Sequence, residues 1–166
     1  MDLKCNLIDY EKIVDEKNRR LIFFGRYAGL AGLIETIHAY GKKLKLQGIH
    51  TPFEKIKQAY QYSSVEEAKI HFKSVANDLK KNGIPNNLGP VVFGFVGYGN
   101  VSCGAQELFD LLPHKDLSPT ELVGNFSSLT SWDGTLFKIV FKEEHMVIPK
   151  NRKFDLREYY DNPENY

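Results

Sequence analysis

The apolar residues of this chain fall into short continuous runs that alternate with longer stripes at helical spacing. The runs predict β-strands, and they cover residues 3–10, 21–24, 91–96 and 136–141. The stripes predict helices over 28–46 and 102–112, another from a capping box at Ser64 and Glu67 to Gly83, and short helices from Pro52 through Tyr60 and from Pro119. A charged stretch at 15–20 predicts a turn. Strand patterns that alternate with helix patterns are typical of an α/β fold with a parallel sheet.

Two closely spaced glycines join the run at 91–96 to the helix pattern that follows it. The run shows no polar alternation, so we expect a strand in the centre of the sheet, buried on both faces. Gly97 can adopt a left-handed conformation, and Gly99 would let backbone amides approach a pyrophosphate. The third glycine of the G-x-G-x-x-G pattern falls on Ser102, while Gly104 can allow the helix to pack closely on the strand. An ordinary strand-to-helix turn remains the alternative interpretation.

Composition argues against nucleic acid or a membrane as a partner and against a disulfide framework or a metal site. A formal net charge of +1 provides no basic surface for nucleic acid, and no apolar run is long enough to cross a membrane. Cys5 and Cys103 form neither a disulfide framework nor a metal-ligand spacing, so we expect two free thiols, no metal and a reducing intracellular compartment.

Several separate segments of the chain resemble one enzyme family. They are LIDYEK at 7–12, FGRYAGLAG at 24–32, HTPF at 50–53, GYGNVSCGAQE at 97–107 and YYDNPENY at 159–166. Together they resemble the lysine–2-oxoglutarate reductase part of the bifunctional α-aminoadipic semialdehyde synthases, which is similar to the alanine dehydrogenase and transhydrogenase group. The resemblance implies that lysine condenses with 2-oxoglutarate and that NADPH reduces the imine to saccharopine.

The resemblance also implies a cofactor site and a division of the chain. The cofactor residues would be Gly97, Gly99, Asn100, Val101 and Ser102. Residues 1–27 would form the end of an N-terminal half and a hinge. Residues 28–166 would form a Rossmann-like parallel sheet, a partial dinucleotide-binding domain with a long linking helix. The catalytic lysine and histidine of the family would precede this chain, so no catalytic residue is assigned and the chain alone should be inactive.

Several alternatives stay open. The dinucleotide is NADP by resemblance, although NAD is possible, because about twenty residues past the turn Asp116 favours NAD while Lys115 and Ser118 favour NADP. A non-catalytic nucleotide-sensing or assembly module of the same fold is the alternative function. The open edges of a partial sheet would allow a homo-oligomer. The compartment would be the cytoplasm or the mitochondrial matrix.

Two further residues are candidates for binding substrate. Arg26 lies at the expected hinge and could bind a substrate carboxylate, with a structural salt bridge as the alternative. His50 could orient substrate or cap a loop. His38 lies near an apolar helix face, where we expect a packed histidine.

Overall fold

A computed structural model describes residues 4–125, 135–150 and 153–166 of the chain. Its α-helices are α1 (Gly25–Leu46), α2 (Val65–Asn82), α3 (Asn100–Phe109), α4 (Pro119–Asn125) and α5 (Leu156–Asp161). Its strands are β1 (Val92–Val96), β2 (His114–Leu117) and β3 (Leu136–Phe141). Short 3₁₀ helices cover Tyr10–Lys12, Pro52–Lys55, Ala59–Gln61, Asn86–Leu88, Glu143–His145 and Pro163–Asn165.

The three strands form an open parallel sheet in the order β1-β3-β2. This arrangement confirms the α/β class and is consistent with a partial Rossmann-like fold. Residue 92 of β1 pairs with residue 137 of β3, and residue 114 of β2 pairs with residue 136. The described sheet therefore places β3 between the other two strands.

The prediction that the strand at 91–96 lies in the centre of the sheet is wrong. Gly94 and Val96 are exposed, whereas residues 136–139 of β3 are all buried. Residues 93–96 of β1 and residues of α1, among them Gly32 and Thr36, line one groove. A continuous apolar run cannot distinguish an edge strand beside such a groove from a central strand.

The strands predicted at 3–10 and 21–24 are also wrong. Described residues 4–9 have no regular structure, and Leu3 lies outside the described residues. Leu21 and Phe23 are 56% and 65% exposed, and no described strand pairs with this segment. The predicted turn at 15–20 is confirmed, since the Asp15 carboxylate accepts the Arg19 backbone N–H at 2.8 Å.

The predicted helices are present except for the one from Pro52, and glycines determine how closely α1 and α3 pack. Helix α1 begins three residues before the predicted boundary, and α3 begins two residues before its own. A Cβ on Gly29 would overlap the carbonyl of Val101, so α1 and α3 meet backbone to backbone. Gly41 packs in the same way against Phe53, while Gly32 faces open space. The region predicted as one helix from Pro52 forms two 3₁₀ helices.

The hydrophobic core lies between the sheet and helices α1, α2 and α3. Its fully buried aromatic side chains are Phe53, Phe72 and Phe109. The Ser64 hydroxyl caps α2 as predicted, accepting the Glu67 N–H at 3.1 Å. None of the helices in the described ranges combines the length and apolarity that a membrane crossing needs.

Candidate functional site

The turn between β1 and α3 lies at the carboxyl end of the parallel strands. Gly97 has a φ of +76°, in the left-handed region that favours glycine. Its N–H donates to the carbonyl of Phe141 at 2.8 Å, which fixes the turn to the end of β3. Gly99 is extended, and a Cβ placed there would meet no atom within 4 Å. The backbone at this turn is therefore open to a close-approaching ligand.

The N-terminus of α3 carries no protein cap. Gly99 is its N-cap and has no side chain to accept the first amides, and no acidic residue occupies the first turn. The first intrahelical bond runs from the Cys103 N–H to the Gly99 carbonyl, so the amides of Asn100, Val101 and Ser102 have no partner within the helix. These amides and the helix dipole favour an anion at this position.

The side chains of the first turn leave this end of the helix accessible. Asn100 and Val101 are exposed, and Ser102 is half-buried. The Ser102 hydroxyl accepts a hydrogen bond from Gln106 Nε2 at 3.0 Å and keeps its own proton to donate. Cys103 and Cys5 are free and exposed, and the Cys103 thiol donates to the Tyr98 carbonyl at 3.2 Å.

The start of α1 lies against the start of α3. A Cβ on Gly25 would lie 3.1 Å from the Cβ of Asn100, and one on Gly104 would overlap the carbonyl of Arg26. Gly104 therefore packs α3 against α1, not against the strand as the sequence suggested. Gly25 and Gly29 of α1 are visible in the sequence, but their packing against α3 is a contact between segments far apart in the chain, which the sequence does not show.

Arg26 forms a salt bridge at the interface between α1 and α3. Its Nε and Nη2 donate to the two carboxylate oxygens of Glu107, each at 2.7 Å, and Lys69 Nζ of α2 lies 2.8 Å from the same carboxylate. The hydrogen bonds from Arg26 and Lys69 lower the pKa of Glu107 to about 2. This geometry matches the structural alternative for Arg26, and its role in substrate binding stays a prediction.

His50 lies far from this region. Its Nδ1 is 3.1 Å from Glu54 Oε1, and its side chain is 70% exposed, as expected for a histidine that caps a loop. It follows the C-terminus of α1, whereas Arg26 lies in the first turn, so the length of the helix separates them by roughly 30 Å. The structure does not bring the two candidates together. His38 is packed as expected, with its Nδ1 2.6 Å from the carbonyl of Ile56.

A cleft of about 410 Å³ opens beside the turn. It is lined by Tyr98, Phe154, Leu156 and the three residues that follow β3, Lys142, Glu143 and Glu144. The Tyr160 hydroxyl of α5 donates to Glu143 Oε1 at 2.6 Å. This hydrogen bond lowers the pKa of Glu143 and raises the pKa of Tyr160 to about 12. The carboxylate is therefore charged and fixed at neutral pH.

The sequence did not single out the residues of this cleft. It indicated residues 115–118 for ribose recognition instead, because they lie about twenty residues past the turn. Residues 115–117 belong to β2, and Ser118 accepts the Glu121 N–H at the start of α4. Among the described residues, no group of three or more histidine, cysteine or acidic side chains is arranged to hold a metal ion.

Comparison with known proteins shows close relatives, although no family model matches the chain. It is 38% identical to an α-aminoadipic semialdehyde synthase of Arabidopsis thaliana over 174 residues. It is 36% and 37% identical to proteins of Mus musculus and Bos taurus named α-aminoadipic semialdehyde synthase, mitochondrial. Each match covers 98% of this chain but only 16% or 18% of the relative. These matches confirm the family resemblance over nearly the whole chain.

Proposed function

We propose that this chain, a relative of the α-aminoadipic semialdehyde synthases, forms the nicotinamide dinucleotide site of a lysine–2-oxoglutarate reductase. The observation that supports this most is the uncapped N-terminus of α3, directly after a glycine turn at the carboxyl end of a parallel strand. Ligands of open α/β sheets bind at that edge of the sheet. Because the chain spans about a sixth of its relatives, the activity of the whole enzyme is part of the proposal.

The residues of the turn fit a pyrophosphate. Gly97 turns the chain without strain, and Gly99 leaves room for the anion to reach the backbone. The amides of Asn100, Val101 and Ser102 would donate to its oxygens, and the Ser102 hydroxyl would add a further donor. We propose NADPH as the dinucleotide, with NADH as the alternative.

In the proposed reaction, bound NADPH supplies the hydride that reduces the imine of lysine and 2-oxoglutarate to saccharopine, a step of lysine degradation. The turn would bind and orient the dinucleotide by fixing its phosphates. No described residue beside the turn is assigned proton transfer, since Glu143 is held ionised and Tyr160 is held protonated at neutral pH. Acid–base catalysis would come from groups outside this chain.

The proposal is tested by calorimetric titration of NADPH and NADH, together with an assay of NADPH oxidation with lysine and 2-oxoglutarate. The chain should bind NADPH and show no turnover, while a full-length α-aminoadipic semialdehyde synthase serves as the positive control. Absence of binding to both dinucleotides would contradict the proposal. Turnover by the chain at the rate of the control would show that the catalytic groups are wrongly placed.

Two further properties, the compartment and the oligomeric state, are part of the proposal. The relatives from mouse and cattle are named mitochondrial, so we propose the mitochondrial matrix for this protein and test it by fractionation of the cells that express it. Because β1 lies at an edge of the described sheet, two copies could pair along it, which sedimentation of the chain at several concentrations would reveal.

A further inference from the structure

An apolar surface near the start of the chain is left uncovered by the rest of the described residues. Its large side chains are each 40% to 65% exposed, and they are Tyr10, Ile13, Val14, Tyr27 and the run 21–24. The Tyr10 and Phe24 ring centres lie 6.0 Å apart, and the Leu21 N–H donates to the Ile13 carbonyl at 2.9 Å. The two arms of the segment therefore lie side by side, and we call these residues the N-terminal surface.

The exposed area of the N-terminal surface is that of an interface. At about 150–250 Å² for a large side chain, its side chains, which are about half exposed, present roughly 800 Å². One partner in a standard protein–protein interface buries about 800 Å². The largest apolar patch on a typical monomer is smaller, at about 300–600 Å². The N-terminal surface therefore has the size of one side of a stable interface.

Residues 13–21 form a hairpin that has the hydrogen bonds of a sheet but only two arms. Val14 and Arg20 form an antiparallel bridge, and the Asp15 N–H donates to the Arg19 carbonyl at 2.9 Å. The apolar run at 21–24 continues the second arm without helical structure. An isolated two-stranded hairpin is marginally stable in water and needs a further strand or a packed face. Because no strand of the described sheet pairs with this segment, the further strand belongs to another region.

The arginines of the hairpin are paired within the same segment. Arg19 Nε lies 2.7 Å from the Asp15 carboxylate, and Arg20 Nη2 lies 2.9 Å from Glu11. The Arg20 guanidinium also lies 5.6 Å from the centre of the Tyr10 ring. Both guanidinium groups are thus occupied, which favours an apolar partner over a phosphate or an acidic segment.

A cavity continues the N-terminal surface along α1. Tyr27 lies one turn after Phe24, and it lines a cavity of about 270 Å³ between α1 and the start of α2. The other walls include Leu30, Ala31 and Val65. These walls are apolar, so the cavity suits an apolar side chain that a partner inserts beside the surface.

We propose that the N-terminal surface docks against the region that the relatives carry outside the matched stretch, and that the hairpin and residues 21–24 extend a sheet of that region. The match covers 98% of this chain but only 16% or 18% of each relative, so more than four-fifths of an α-aminoadipic semialdehyde synthase lies outside it. A region of that size is large enough to supply a sheet. Docking does not depend on dinucleotide binding, so its failure would leave the proposed function untouched.

The test is amide hydrogen exchange of residues 22–24 in two contexts. One is the chain alone, and the other is a graft in which the chain replaces the matched stretch of the full-length Bos taurus relative. The amides should exchange at least about tenfold more slowly in the graft, because strand pairing and burial protect them. Equal exchange of the α1 amides in both contexts establishes that the chain is folded in the graft.

Two variants of the graft identify the surface that docks. Phe23→Asp should restore rapid exchange of residues 22–24, because a carboxylate cannot be buried in an apolar interface without a partner. Leu46 is the matched control, since it is an apolar residue that is 89% exposed at the far end of α1. Leu46→Asp should leave the slow exchange unchanged.

Three results would overturn the proposal. The first is equal exchange of residues 22–24 in the chain alone and in the folded graft. The second is protection of these residues in the chain alone that rises with its concentration, which would make a second copy the partner. The third is a lower urea unfolding midpoint for Phe23→Asp in the chain alone, which would show that the segment packs on this chain itself; that measurement does not require the graft.

Discussion

Replacing Gly29 by alanine perturbs the contact that sets the position of α3 against α1. Gly29 is buried, and an added Cβ would overlap the Val101 carbonyl oxygen and lie 2.7 Å from the Ala105 nitrogen. Both atoms belong to backbone, so no flexible side chain can move aside. The two helices would have to separate, and the N-terminal turn of α3 would move with them.

The expected cost follows from two opposing effects. Alanine favours a helix over glycine by about 1 kcal/mol. Overpacking of a well-packed contact costs about 1–3 kcal/mol, and a backbone clash lies at the upper end of that range. We therefore expect Gly29→Ala to lower the free energy of unfolding by about 1–2 kcal/mol. The same change at Gly32, one turn along α1, meets no atom within 4 Å and should raise it by up to about 1 kcal/mol.

Urea unfolding followed by circular dichroism measures both variants against the parent chain. The prediction is a lower midpoint for Gly29→Ala and an equal or higher midpoint for Gly32→Ala. Equal midpoints for the two variants would refute the close contact between α1 and α3, because only that contact distinguishes the two positions.

Three further substitutions test the ion pairs of Glu107 and the ion pair between Lys138 and Asp110. The pKa of Glu107 is lowered in the folded chain from 4.5 to about 2, so its ion pairs stabilise the fold above pH 4.5 and are lost as the pH falls toward 2. Between pH 7 and pH 2.5 the unfolding midpoint should therefore drop less steeply in Glu107→Gln than in the parent. Parallel curves for the two proteins would contradict the ion pairs. Lys138 is buried, and its Nζ lies 2.6 Å from the Asp110 carboxylate. Asp110→Asn should lower the free energy of unfolding by about 1–3 kcal/mol, because it deprives the buried ammonium of its partner. Lys138→Met removes the buried charge, so its free energy of unfolding should stay within about 1 kcal/mol of the parent's. Urea unfolding measures both, and a larger loss in Lys138→Met would show that the pair itself is strongly stabilising.

Local patterns were sufficient to predict helices α1 to α4 and the glycine turn. The stripe along α1 and the Ser64 cap of α2 depend on residues within a few positions of each other. Gly97 adopts a positive φ because the chain must turn sharply between a strand and a helix. Such features depend on the conformation of one short segment, so the sequence alone could indicate them.

Pairing between distant segments could not be predicted in the same way. The apolar run at 21–24 has the composition of a strand but no described strand beside it, and its side chains are exposed. The order β1-β3-β2 depends on which strands meet, and no residue of β1 encodes that. Residues 115–118 were considered for ribose recognition because counting along the chain assumes that β2 is the neighbour of β1.

Contacts between distant segments also explain why the partners of Arg26 could not be predicted. Glu107 is 81 residues away along the chain, so the sequence showed a hinge arginine without its partner. Glu143 and Tyr160 also lie on separate elements and meet only in the folded chain. Sequence reasoning therefore identified the backbone part of the candidate site and missed the side chains that complete its cleft.

The most direct test of the dinucleotide site is a calorimetric titration of NADPH into the parent chain and into Gly99→Val. Gly99 is extended and faces open space, so valine should block the approach of the pyrophosphate while it lowers the urea midpoint only slightly, through its poorer N-cap preference. Gly97→Val would add backbone strain, which makes Gly99 the cleaner position. We expect the parent and Gly32→Val to bind NADPH and Gly99→Val to lose binding. Equal NADPH affinity in the parent and in Gly99→Val would contradict the account and leave the turn as an ordinary connection between strand and helix.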